Sequence, residues 1–209
     1  MVDYAQARRM MVDGQVRTAD VTDLRILAAM QEVPRERFAP GSEAIAYLDV
    51  DLPVANRRAL LKPMVFAKLL QAAEIGPDDS VLDVGCATGY SAAVIARLAG
   101  RVVALDEKAD ATMLAGAPNV TVVSGALTAG YEKAAPYDVI MLEGSAEVVP
   151  PALFGQLKEG GRLLAVVGAM PMGKATIYRM SGGHVSAHEL FDAAAPALAG
   201  FAKPPVFVF

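Results

Sequence analysis

The chain has 209 residues, 54% of them apolar and 20% charged, with 18 glycines and 13 prolines. That balance is too apolar for disorder and too poor in Gly and Pro for low complexity, and the length predicts one domain hiding roughly 70% of its unfolded surface. A net charge of −4 lacks the positive field that binds phosphate backbones, so nucleic acid is not an expected partner. The single cysteine, Cys86, cannot form an internal disulfide and suits a reducing compartment. The start, Met1-Val2-Asp3-Tyr4, has no basic flank followed by an apolar run, so no signal peptide is expected. No apolar stretch approaches the roughly 18 residues that cross a bilayer, and the cytoplasm is the expected location. His184 and His188 are spaced to share one helix face. With no third ligand in view they read as a solvated pair, and no metal is expected.

Ala5 to Val12 reads as a helix that Gly14 interrupts or ends. Thr22 or Asp20 is the expected cap of a second helix through Leu24, Ile26, Leu27 and Met30, which Val33-Pro34 closes. A mostly irregular loop containing Pro40, Gly41, Pro53 and Asn56 follows. Pro63 then suits the first turn of a helix through Val65, Leu69, Leu70 and Ala73 to Gly76-Pro77. After Asp78-Asp79 short apolar runs alternate with helical segments: Val81–Val84, Tyr90–Leu98, Val102–Leu105, Val120–Val123, Val139–Leu142, a helix from about Val148 to Leu157, and Leu163–Val167. This alternation predicts an α/β fold, a parallel sheet with helices on both faces. Ala175–Met180, a Gly182-Gly183 turn and Pro205–Phe209 read as antiparallel strands added at one edge.

The most informative segment is Val81-Leu82-Asp83-Val84-Gly85-Cys86-Ala87-Thr88-Gly89-Tyr90-Ser91, which joins a buried strand to a helix. Small residues there let the backbone turn tightly and bring amides at a helix start up to a ligand. Asp106 ends the next strand, 21 positions after Gly85, where a carboxylate accepts hydrogen bonds from ribose hydroxyls. A dinucleotide fingerprint needs a small residue at the sixth place counted from Gly85, and Tyr90 stands there. The spacing therefore predicts an adenosine-containing cofactor other than a dinucleotide. Without a ligand, the same segment is a tight strand-to-helix turn.

Asp83-x-Gly85-x-Ala87-x-Gly89-Tyr90 resembles the S-adenosylmethionine loop of class I methyltransferases. Over nearly its whole length the chain resembles the protein-L-isoaspartate O-methyltransferase family. Val33-Pro34-Arg35-Glu36-Arg37-Phe38-Ala39-Pro40 carries this most specifically, with Met11 to Arg17, Ala46-Tyr47, Leu52-Pro53, Tyr137 to Ile140 and Pro150 to Leu163 in support. The resemblance implies a Rossmann-like, seven-stranded methyltransferase sheet, with residues 1–62 as a helical cap and substrate-side loop and 63–209 as the cofactor core. It implies S-adenosylmethionine as cofactor, S-adenosylhomocysteine as product, and a carboxylate acceptor such as an isoaspartyl peptide. Gly85, Cys86, Ala87, Thr88 and Gly89 would hold the methionine part and Asp106 the ribose, Gly125 and Ala126 would lie where the family contacts adenine, and Asp83 and Glu107 complete the expected cofactor site. Two departures stand out. The family's loop ahead of Pro63 ends in a serine at the reaction centre, whereas Ala55-Asn56-Arg57-Arg58-Ala59-Leu60-Leu61 puts Leu61 there. Its Gly-Asp-Gly after the third core strand is Gly125-Ala126-Leu127 here.

A carboxylate acceptor is already ionised at pH 7 and needs no general base, so the lack of a histidine near the loop does not exclude ester formation. Arg57, Arg58 and Lys62 read either as an anion site replacing the lost serine or as an exposed basic loop. Glu143 ends the Val139–Leu142 run, facing cofactor, acceptor or solvent. Cys86 reads as a buried spacer and Tyr90 as packing beneath the loop. The leading expectation is an S-adenosylmethionine-dependent O-methyltransferase; the alternative is a non-catalytic relative that keeps the fold as a binding or interaction protein.

Overall fold

A computed structural model of the chain describes residues 3–204, so the strand expected at Pro205–Phe209 lies outside the described residues. Helix α1 (Tyr4–Met11) begins where the Asp3 side chain accepts from the Gln6 amide at 2.9 Å. It does not end at Gly14: the chain passes through a π turn (Val12–Val16) and a 3₁₀ turn (Arg17–Ala19) before Asp20 stops it in a left-handed conformation. Helix α2 (Leu24–Glu32) is capped by Asp23, whose carboxylate accepts from the Arg25 amide at 2.8 Å. Neither Asp20 nor Thr22 caps it, because Asp20 closes the preceding turn and the Thr22 amide donates to Gln71 at 2.7 Å. Val33 is extended and ends α2, as the following proline requires.

The stretch read as irregular contains a hairpin, β1 (Leu52–Val54) and β2 (Arg58–Leu60), in register Leu52↔Leu60 and Val54↔Arg58. Its tip puts Asn56 and Arg57 at φ 61° and 56°. Helix α3 (Pro63–Ala73) follows with Pro63 in its first turn, where a missing N–H costs nothing.

The main sheet has seven strands: β3 (Ser80–Val84), β4 (Arg101–Asp106), β5 (Val120–Ser124), β6 (Tyr137–Ala146), β7 (Leu157–Val167), β8 (Lys174–Ser181) and β9 (His184–Asp192). Their order is β5-β4-β3-β6-β7-β8-β9, parallel from β5 to β7 and antiparallel at β8 and β9. The Gly182-Gly183 turn joins β8 to β9, so the edge partner is His184–Asp192. His184 and His188 are therefore exposed on a strand, not on a helix.

Between β3 and β4 runs helix α4 (Tyr90–Ile95). The β4–β5 and β5–β6 crossovers carry only 3₁₀ turns, at Ala111–Leu114, Leu127–Ala129 and Glu132–Ala134. The helix expected over Val148 to Leu157 is reduced to α5 (Pro151–Phe154). Pro150 is extended at its start, and by Leu157 the chain has already entered β7, which is longer than the expected Leu163–Val167. The central strands are buried on both faces, which is why they read as unbroken apolar runs. Val81, Val102 and Ala104 pack with helices α1 to α4 on one face. Leu82, Val103 and Leu105 pack with Leu153, Leu198 and Phe201 on the other. Each such aliphatic side chain contributes about 1.5–3 kcal/mol of burial. Among the described residues no helix is long and apolar enough to cross a membrane.

Candidate active site

Strand β3 lies between β4 and β6, so successive connections leave it in opposite directions and open a crevice at its carboxyl end. The glycine loop, Asp106 and Glu143 all reach that point. Gly85 and Gly89 have φ of 85° and 96°, which only glycine adopts without strain, and Ala87 is held at 51°. Four loop amides are spent internally. Gly85 N and Cys86 N donate to Leu105 O at 2.7 and 3.2 Å, Ala87 N to Asp106 Oδ2 at 2.9 Å, and Gly89 N to Cys86 O at 2.7 Å. The Thr88 hydroxyl donates to Phe38 O at 2.5 Å, which ties the loop to the N-terminal cap.

The carboxylates in this crevice are buried. Asp83 accepts from the Ser91 hydroxyl at 2.7 Å through one oxygen, while its other oxygen has no partner among the described residues. Burial, opposed by the Ser91 hydrogen bond, pushes its carboxyl up to about 7. Glu143 is also buried, with Oε1 lacking a partner among the described residues, and burial raises it well above the carboxylate range. It does not end β6. It sits where the β6–β7 register shifts between Met141 and Ser145, just beyond the last β3 pairing at Val84↔Leu142. Asp106 is 1% exposed and accepts from the Glu107 amide at 2.8 Å, while the Glu107 side chain faces solvent. Gly125 N donates to Asp106 O at 3.0 Å, and Ala126 is exposed.

Arg58 departs from the reading of an exposed basic loop: it is buried, and its guanidinium is held by groups of the crevice. Its Nε donates to Asp106 Oδ2 at 3.0 Å and its Nη2 to Gly85 O at 2.8 Å. Arg57 is exposed, and Lys62 lines a separate cleft of about 660 Å³ with Met64, Met172 and Asp192. The three cations therefore do not converge.

The surroundings of the crevice are apolar. Leu61 is 3% exposed and shares a cavity of only about 10 Å³ with Leu60, Phe66, Cys86, Tyr90 and Glu143. Cys86 is a packed spacer whose thiol burial raises. Tyr90 packs beneath the loop, against Phe38 and Phe66 at ring separations of 5.9 and 5.8 Å. Sequence reasoning missed Arg35, which is fully buried with its guanidinium 4.6 Å over the Tyr90 ring. Its Nη2 donates to Leu61 O at 2.8 Å and its Nε to Ala46 O at 2.9 Å. The Val-Pro-Arg-x-x-Phe segment marked its position, but not its contact with the loop at Leu61.

A five-strand parallel core, a glycine loop after its first strand and an acid after the second define a Rossmann-like methyltransferase fold. The model of the family "Protein-L-isoaspartate(D-aspartate) O-methyltransferase (PCMT)" matches residues 6–191. A protein-L-isoaspartate O-methyltransferase of Koribacter versatilis is 35% identical over 200 residues, covering 92% of this chain and 90% of its own. One from Opitutus terrae is 40% identical over 169 residues, covering 77% and 72%. The chain belongs to the protein-L-isoaspartate O-methyltransferase family. The fold agrees with a solved protein-L-isoaspartate O-methyltransferase at TM-score 0.79 and 24% identity, over 92% of this chain and 66% of that one. It also agrees with a Plasmodium falciparum structure of that description, in complex with S-adenosyl-L-homocysteine, at TM-score 0.77 and 17% identity, over 91% and 97%.

Asp83 and Glu143 each keep one side-chain oxygen without a partner among the described residues, so either could accept from a ligand N–H or O–H. The space does not suit that family's cofactor. A cavity of about 10 Å³ barely holds one water, and the Asp106 oxygen that would take a ribose hydroxyl is taken by Arg58 and Ala87. As arranged here, these residues do not fit the cofactor.

Proposed function

We propose that the chain is an S-adenosylmethionine-dependent O-methyltransferase that esterifies a carboxylate, its acceptor the isoaspartyl residue of a damaged peptide or protein. The observation that carries this reading is the family match across residues 6–191, which spans the glycine loop, the acid after β4 and the segment ahead of Pro63. We assign the cofactor site to Asp83, Gly85, Cys86, Ala87, Thr88, Gly89, Asp106, Glu107, Gly125 and Ala126. Residues 1–62 form the cap and acceptor side, and 63–209 the cofactor core. The chemistry asked of this chain is modest. The acceptor is ionised at neutral pH, so holding it close and dry replaces acid–base work. Leu60, Leu61 and Phe66 supply an apolar wall at that place. Leu61 offers no hydroxyl to the acceptor, so acceptor orientation falls to backbone and neighbouring groups. The lone buried thiol, Cys86, suits the cytoplasm.

The test is transfer of a labelled methyl group from S-adenosylmethionine to an isoaspartyl peptide, with the normal aspartyl peptide as control. Base-labile label in the first and none in the second is the expected result. No label in either would remove the proposal and favour the non-catalytic alternative.

A further inference from the structure

We infer that a cleft beside α4, lined by Arg37 and Arg97, is a second binding site, one that takes a small carboxylate carried on an apolar body. The inference is independent of the methyl-transfer chemistry. A crossover between neighbouring parallel strands is ordinarily a helix that covers the sheet. The segment from Asp106 to Val120 instead forms only the 3₁₀ turn Ala111–Leu114. On that face β5 stays half-covered, with Val120 and Val122 only partly buried against the core. What opens there is a cleft of about 390 Å³ between the N-terminal cap, α4 and the crossover, a size typical of small-molecule sites. It shares no lining residue with the small cavity at Leu61 and Glu143.

Val33, Phe38, Ala93 and Leu114 are buried and give the cleft an apolar floor. Two of them are fixed from behind. Phe38 packs on the Tyr90 ring at 5.9 Å, and its carbonyl accepts from the Thr88 hydroxyl. Leu114 packs on Gly89, its side chain 3.0 Å from where a Cβ there would lie. A floor held in this way is preformed, so binding has little ordering to overcome.

The charged part of the lining is Arg37 and Arg97, and no acid lines the cleft among the described residues. Arg37 is exposed, and its guanidinium has no hydrogen bond or ion pair among the described residues. Arg97 donates through Nε to Glu32 at 2.8 Å and through Nη1 to the Ala93 carbonyl at 2.7 Å, which fixes it on α4 and leaves Nη2 for a ligand. Thr112 adds no donor, because its hydroxyl donates to Asp110 at 2.7 Å. Two planar guanidinium forks beside an apolar floor select an anion that accepts in pairs and carries an apolar body. Glu32 and Asp110 adjoin the cleft through these bonds, so a singly charged carboxylate meets less repulsion than a doubly charged phosphate.

The experiment is an amide NMR titration of the full chain with naphthalene-2-carboxylate. Naphthalene-2-methanol is the uncharged control, acetate the control without an apolar body, and inorganic phosphate the doubly charged rival. Saturable shifts in residues 33–38, 93–97 and 114–117 with the naphthoate, and weaker binding of the other three, support the site. Arg37→Ala and Arg97→Ala should each weaken naphthoate binding by about five-fold or more. Ala115→Trp, which fills the cleft from an exposed lining position, should abolish it. Circular dichroism checks that each variant folds; Arg37, exposed and without a side-chain partner, leaves a usable variant should Arg97→Ala not fold. Equal binding of the alcohol would reduce the cleft to an apolar patch and overturn the proposal. Shifts confined to other residues, tighter binding of phosphate, or unchanged affinity in the folded arginine variants would overturn it too, and would leave the methyltransferase reading standing.

Discussion

Replacement of Arg35 by methionine tests how the Val33-Pro34-Arg35 segment supports the site. Arg35 is fully buried, and burial pulls its guanidinium below the ordinary arginine value. It bonds the Ala46 and Leu61 carbonyls at 2.9 and 2.8 Å, and among the described residues no carboxylate pairs with it directly. Arg35→Met removes two charge-assisted hydrogen bonds of about 1.5–3 kcal/mol each and leaves both carbonyls dry. It also loses a desolvated cation–π contact with Tyr90, about 1–2 kcal/mol. Against this stands relief from burying a charge whose Nη1 has no partner. The net expectation is a loss of about 3–4 kcal/mol, or roughly 6–16 °C in Tm for a chain of this size. Thermal unfolding followed by circular dichroism measures it. A Tm within about 2 °C of wild type would refute the reasoning, because Arg35 would then be replaceable packing rather than the anchor of Leu61.

Two further outcomes follow from the same geometry. Asp83 has its folded-state pKa raised from 3.8 to about 7, so the folded chain binds the extra proton and stability falls as pH rises between about 4 and 7. Asp83→Asn should flatten that fall, and its Tm advantage over wild type should grow from pH 5 to pH 7; a pH-independent difference would count against the burial argument. Gly130 sits at φ 63°, and an added Cβ would lie 2.6 Å from Gln156 Oε1, the atom that accepts from the Tyr131 amide. Gly130→Ala should cost about 1–3 kcal/mol in urea unfolding, and an unchanged midpoint would show that the Gln156 carboxamide yields freely.

The central strands and the glycine loop were legible because a strand buried on both faces must be apolar throughout, and the loop after it must be small. Asp106 was legible by spacing alone. The Val148–Leu157 helix was misread because Pro150-Pro151 starts a helix well but says nothing of how soon β7 begins. The β1–β2 hairpin was hidden because its tip lacks glycine and instead holds Asn56 and Arg57 in the left-handed region. Arg58 was the hardest to read. A charge in a loop is ordinarily solvated, and the partner that draws it inward, Asp106, lies 48 residues along the chain. Only the sheet brings them together.

The proposed chemistry of this crevice is methyl transfer to a carboxylate. The most direct measurement is mass spectrometry of an isoaspartyl peptide incubated with the purified chain and S-adenosylmethionine. The isoaspartyl peptide should gain one methyl ester, which alkali removes, and the matched aspartyl peptide none. An unmodified isoaspartyl peptide would contradict it.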